Sequence, residues 1–240
     1  MPHAADFLAL LPLTDWLALA WFFACWLGYV QFARRRAQID GSLLAASDAF
    51  RHRWMYQTAV RENRVFDGVV LQNLSSSPAF FASTTIFIIG GLIAALGTSD
   101  KASDLVRELP FAARTTALVF ELKLLLLTGI FVSAFFRFTW SMRQYGFVAL
   151  VIAAAADRDL YLADDARRKQ FADRAGRIVA LAAETFNNGL RAIYLSFAAV
   201  LWFVSPLAFA LGSATVIWVL YQREFHSDIR ALLKDAAQAP

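Results

Sequence analysis

The chain has 240 residues, 59% of them hydrophobic, with a mean hydropathy of +0.50. Soluble domains hold roughly 45–50% apolar residues, and runs of about eighteen or more apolar residues recur here, so an ordinary soluble fold is excluded in favour of an all-α polytopic membrane protein. The net charge of +4 speaks to membrane topology and gives no support to nucleic-acid binding, and the single cysteine, Cys25, excludes an intramolecular disulfide.

The first expected span is WLALAWFFACWLGYVQFA, residues 16–33, with Asp15 as its N-cap and a stop at Arg34, Arg35 and Arg36. No basic stretch precedes it, so it reads as a span and not as a cleavable signal. Residues 42–74 follow as one amphipathic helix, its apolar positions including Phe50, Trp54, Val60, Val65, Val69 and Leu74. Within it Arg61, Glu62, Asn63, Arg64 and Asp67 form a candidate polar network, to which Asn73, Arg137 and Arg191 are added from the span ends. The competing reading of these charges is a solvated helix face.

The second span is 78–97, with Ser77 as cap and Pro78 at the first helical position. Gly90/Ala94 and Gly91/Ala95 give a small-xxx-small spacing that suits close helix approach. The third span, 116–136, contains FELKLLLLTGIFVSAFF and carries Glu121 and Lys123. These two stand about 200° apart around a helix, so each needs its own partner or water. They either anchor the wet end of the span, with Arg114 or a neighbouring helix as counter-charge, or line a path with Thr84, Thr85 and Thr128. Each threonine alone is as well explained by a bond back to its own helix.

Residues 138–190 form a second helical cytoplasmic segment. Phe147–Ala156 is too short to cross a bilayer. Asp164 and Asp165 cap a helix with the stripe Phe171, Ala175, Ile178, Ala182 and Phe186, which Asn187, Asn188 and Gly189 are expected to interrupt. The last apolar run, 192–221, reads as one long helix kinked at Pro206, with a hairpin there as the alternative. The architecture is therefore a single membrane domain over 1–240 with about four spans. Basic residues crowd 34–77 and 137–191, whereas 98–115 holds only Lys101, Arg107 and Arg114. That places the two long segments in the cytoplasm of a bacterial inner membrane and the N-terminus outside. Four spans put the C-terminus outside as well; a hairpin at Pro206 would bring it in.

Three stretches in this order, RENRVFDGVVLQNL with FFASTTIFIIGGLIAALG, FELKLLLL with FFRFTWSMRQYGF, and NNGLRAIYLSFAAVLWF with VLYQREF, resemble a bacterial integral-membrane family with relatives in plants, domain-of-unknown-function family 599. The resemblance covers about Asp15 to Phe225. It implies about four spans and carries no activity, substrate or cofactor.

No catalytic or metal motif is present. His3, His52 and His226 are scattered, and the sequence holds no G-x-S-x-G, H-x-x-x-H, C-x-x-C or phosphate-binding glycine loop. The aspartates at 157, 159, 164 and 165 lack the glycine of a calcium loop. The chain is expected not to be an enzyme and to need no cofactor or metal. Two functions remain. One is an oligomeric channel or small-solute transport protein lined by the polar residues of spans two and three. The other is a membrane scaffold or regulatory subunit that binds a protein partner or anionic lipid through its basic helices. A homo-oligomer is expected in the first case, because four spans enclose little volume alone.

Overall fold

The computed structural model describes residues 11–39, 42–98 and 116–238, and these are all-helical with short connections. The elements are α1 (Leu13–Ile39), α2 (Leu43–Ala59), α3 (Val65–Gly97), α4 (Ala117–Ala153), α5 (Arg158–Ala163), α6 (Asp165–Val200), a 3-10 turn (Leu201–Phe203), α7 (Pro206–Phe225) and α8 (Asp228–Gln238). Among the described residues three stretches are long and apolar enough to cross a membrane: Leu13–Ala33, Val65–Gly97 and Ala117–Ala153. Lys101, Arg107 and Arg114, which entered the topology argument, lie outside the described residues, as does His3.

Several boundaries differ from the sequence expectation, each for a local reason. The expected helix 42–74 is two helices. Ser42 caps α2 by accepting from the Ala45 N–H, and the chain turns over residues 60–64 before Asn63 Oδ1 accepts from the Val65 N–H and opens α3. Val65 and Val69 therefore stand on the exposed side of α3, and Met55, Ala59 and Leu71 are the buried residues. Ser77 and Pro78 do not start a helix; Pro78 lies inside α3. Membrane helices accept an interior proline more readily than soluble ones do. α4 is a single helix of 37 residues, so 138–153 extends the third span without a break. Asn187–Gly189 do not interrupt α6. Gly189 is needed for another reason: a Cβ there would sit 2.5 Å from the ring of Phe138, which is fully buried.

The described residues cluster into two compact units. The first draws on the described residues within 11–34, 84–98, 116–134 and 190–221. Its α1 and α7 lie side by side and run the same way. Trp21 Nε1 donates to the Ala210 carbonyl at 3.2 Å, Phe22 meets Phe209 at 5.0 Å between centroids, and Phe32 meets Tyr221 at 6.1 Å. The last apolar run is not a kinked helix. After the 3-10 turn Ser205 accepts from the Ala208 N–H, which makes Ser205 an N-cap and Pro206 the first residue of a new helix. α7 then folds back, so that a Cβ on Gly212 would lie 3.5 Å from Cα of Ala198. In one continuous helix those two residues would be about 21 Å apart. The hairpin alternative is the one the chain adopts.

The second unit draws on the described residues within 35–39, 42–83, 135–189 and 222–238. Its core joins Met55 of α2, Leu71 of α3, Tyr145, Val148 and Ile152 of α4, and Ala172, Ala175, Val179 and Ala182 of α6. The expected α6 stripe thus faces inward, with Phe171 and Ile178 packed at its margin. Ser141 Oγ donates to the Ala182 carbonyl at 2.8 Å and ties α4 to α6. α8 rests on α2, where Arg53 Nη2 donates to the Ala237 carbonyl at 3.4 Å. The C-terminal helix therefore shares a unit with the basic segment 42–59.

Candidate functional site

The charged pair that drew attention in the third span has a definite place in the first unit. Lys123 is 2% exposed, and its ammonium donates to the Trp202 carbonyl at 2.9 Å. Four residues after Trp202 stands Pro206, which has no N–H to return the usual i→i−4 bond. Lys123 supplies the donor that the proline lacks. The ammonium also lies 5.5 Å from the Trp202 ring centroid and 5.7 Å from that of Phe203. Trp202, itself 1% exposed, donates its indole N–H to Asp15 Oδ1 at 2.6 Å. Asp15 is not the N-cap: α1 begins two residues earlier, and the Asp15 carboxylate is the buried end of a chain of contacts from Lys123 through Trp202.

Thr128 donates to the Leu124 carbonyl one turn back, at 2.8 Å. Thr85 is buried at 1% exposure, and Thr84 and Glu121 are half-buried. Among the described residues, a Cβ added at Gly90 or Gly91 meets nothing within 4 Å, so no described helix packs closely at these two glycines.

Of the candidate polar network, the structure brings the central residues together and leaves the outer ones apart. In the second unit Asp67 is fully buried one turn into α3. Its Oδ1 accepts from Trp54 Nε1 at 2.6 Å, Arg61 Nη1 at 2.7 Å and Thr58 Oγ1 at 3.0 Å. Arg64 turns the other way and donates five hydrogen bonds to carbonyls. Nε reaches Thr58, Nη2 reaches Ala59 and Ala156, and Nη1 reaches Ile152 and Ala155, all within 3.0–3.4 Å. These are the last carbonyls of α2 and the carbonyls around the end of α4, where a helix leaves acceptors unpaired and a cation is favoured. The planar five-donor fork of arginine can serve both ends at once.

Glu62 pairs with Arg158 across the same corner, both side chains exposed. A surface cavity of about 1030 Å³ opens there, lined by Arg61, Glu62, Arg64 and Arg158 above Leu71 and Ile152. The cations around it are already committed to Asp67, to carbonyls or to Glu62. Asn63 is used as the α3 cap. Asn73 does not join the network: it is exposed, and its carbonyl accepts from the Ser76 hydroxyl at 2.7 Å. Arg137 donates to the Asn188 carbonyl at 3.3 Å, roughly 22 Å along α4 from Ile152. Arg191, in the first unit, stacks over Tyr29 at 5.4 Å.

One feature escaped the sequence reading. Tyr56 donates its hydroxyl to Asp165 Oδ1 at 2.5 Å, while Arg168 lies 3.5 Å over the Tyr56 ring and donates to its carbonyl at 2.9 Å. The ion pair with Lys169 first, and then the tyrosine bond, holds the Asp165 carboxyl below its usual range; the same contacts push Lys169 and Tyr56 up. The expectation that Asp164 caps α6 holds, since its Oδ1 accepts from the Arg167 N–H. The basic side expected of this segment is carried on α6 by the exposed Arg167, Arg174 and Arg177, spaced to share one helix face. Among the described residues no group of three or more His, Cys, Asp or Glu side chains is placed to hold a metal ion.

These elements define an all-helical membrane protein whose internal cations tie down helix ends. The chain belongs to the family described as Protein of unknown function, DUF599, whose sequence model matches residues 17–229. No curated protein and no solved structure matches it.

Proposed function

We propose that this protein is a membrane-embedded scaffold that assembles through its helical segments, and that it neither conducts ions or solutes nor catalyses a reaction. The observation that carries the reading is the outer face of α4. From Ala117 to Leu150 that helix rises about 50 Å, and at a usual tilt of about 20° it still projects well past a hydrocarbon core of about 30 Å. Arg137 and Arg143 mark the second half as the end that leaves the core. Yet past the edge of the core Trp140, Phe147 and Leu150 keep 50%, 40% and 65% of their surface exposed along it. Lipid tails cannot cover apolar side chains beyond the core, and exposed apolar patches of that extent mark protein contacts.

The channel alternative loses its main support, because the buried ammonium of Lys123 is occupied by a backbone carbonyl. In the scaffold reading the protein sits in a bacterial inner membrane with its N-terminus outside. α7 crosses beside α1, and residues 42–59 and α8 lie together in the cytoplasm. The contact partner is a second copy of this chain, and the exposed bases of α6 add attraction to anionic lipid, about 1 kcal/mol for each base near the surface.

Light-scattering mass of the purified chain in nanodiscs tests this. The expected result is an oligomer that falls to single chains when Phe147 and Leu150 are both replaced by Glu, with helix content unchanged. A wild-type single chain, or an oligomer indifferent to the double replacement, contradicts the reading.

A further inference from the structure

The first unit holds a groove between the parallel helices α1 and α7. Its volume is about 540 Å³. Small residues make the space: Ala24, Cys25 and Gly28 on α1, with Ala214 on α7. Larger side chains border it, among them Trp21, Phe32 and Trp218, which are 49%, 42% and 61% exposed. A Cβ built on Gly28 meets nothing within 4 Å, so the space at that point is open. The α1 wall lies wholly within Leu13–Ala33, a stretch apolar enough to cross a membrane.

Dimensions decide what fits. Trp21 to Phe32 spans about 17 Å along the helix axis. Half of a hydrocarbon core of about 30 Å is about 15 Å, the depth reached by the acyl chains of one leaflet. Spread over that length, the volume of about 540 Å³ gives a mean cross-section near 32 Å². A helix with its side chains is about 10–12 Å across, roughly 80–110 Å² in section, and is too wide. An extended hydrocarbon chain is not.

The two ends also differ. Tyr29 and Tyr221 line the end near Phe32, where a tyrosine hydroxyl suits an interface, and behind the buried Tyr29 the buried Arg191 guanidinium lies 5.4 Å from its ring centroid. We infer that this groove is a binding site for one acyl chain of a phospholipid, seated lengthwise with its headgroup at the Tyr29–Tyr221 end. The site is independent of the scaffold reading, since neither Phe147 nor Leu150 contributes to it.

The test is native mass spectrometry of the full chain after exhaustive detergent washing. One phospholipid per chain is expected to remain bound. Gly28→Leu fills the groove from one side and Ala214→Leu from the other, and each should lower retention about tenfold. Gly91→Leu is the control: its Cβ position is equally open but lies on α3, and retention should not change. The sole cysteine lines the groove and gives a second readout. Bound lipid should slow alkylation of Cys25 by a small maleimide relative to delipidated protein. Three results overturn the inference: no retained lipid, retention indifferent to both groove-filling variants, or efficient Cys25-to-Cys25 cross-linking between chains by a short bis-maleimide, which would seat a second copy there.

Discussion

Lys123 in the first unit and Arg64 in the second answer one problem in two ways. Each gives its hydrogen bonds to backbone carbonyls at the place where a helix stops. Lys123 makes a single bond to Trp202 and is 2% exposed; Arg64 makes five, to the ends of two helices, and is half-buried. A lone ammonium suffices where one proline removes one N–H. A fork is required where two helix ends leave several carbonyls together. The difference teaches that a charge inside an apolar helix can be a structural donor, and that burial of its partner decides what its loss costs.

The largest effect is expected beside Arg64. Asp67→Ala strands the donors of Trp54, Thr58 and Arg61 around a fully buried position. Breaking such a buried charged cluster costs about 3 kcal/mol, to be read from denaturant unfolding in detergent. Lys123→Met comes next, at about 2 kcal/mol, because the Trp202 carbonyl stays buried with no replacement donor. Arg64→Lys keeps the charge but not the fork; water can reach the half-buried site, and the same assay should show about 1 kcal/mol. If Arg64→Lys costs more than Lys123→Met, the ranking by burial is wrong.

The smallest effect is a pH dependence at Tyr56, Asp165 and Lys169. A carboxyl held low stabilises the fold above its ordinary value of 3.8 and loses that contribution as pH falls through its lowered folded value. Lys169 and Tyr56, both raised, contribute below their ordinary values of 10.5 and 10.0 and lose it as pH rises through their folded values. Melting temperature should therefore carry this cluster's full contribution, independent of pH, between 3.8 and 10.0 and fall outside that window. Tyr56→Phe should flatten the alkaline fall.

The sequence made some of this legible and not the rest. Periodicity gave the helices, the α6 stripe and the cap at Asp164, because those depend on neighbours within a few residues. Local signals misled where packing overruled them. Ser77-Pro78 looks like a helix start, yet α3 runs through it. Asn187–Gly189 looks like a break, yet Gly189 is the seat of the Phe138 ring. The Lys123–Trp202 bond joins residues 79 apart and was not found, although a clue was present. A proline late in an apolar run leaves a carbonyl in need of a donor, and Lys123 is a cation within another apolar run. The Arg64 clamp left no such clue, because its partners are carbonyls that every residue carries.

The most direct measurement is ion flux into proteoliposomes holding the wild-type chain, Lys123→Met and Glu121→Gln, each checked for equal insertion and helix content. The account predicts flux no greater than in empty vesicles for all three, with Lys123→Met differing only in stability. A wild-type flux of any cation or anion that Lys123→Met abolishes in the folded state would show that the ammonium serves a path, and would contradict its assignment as a strut.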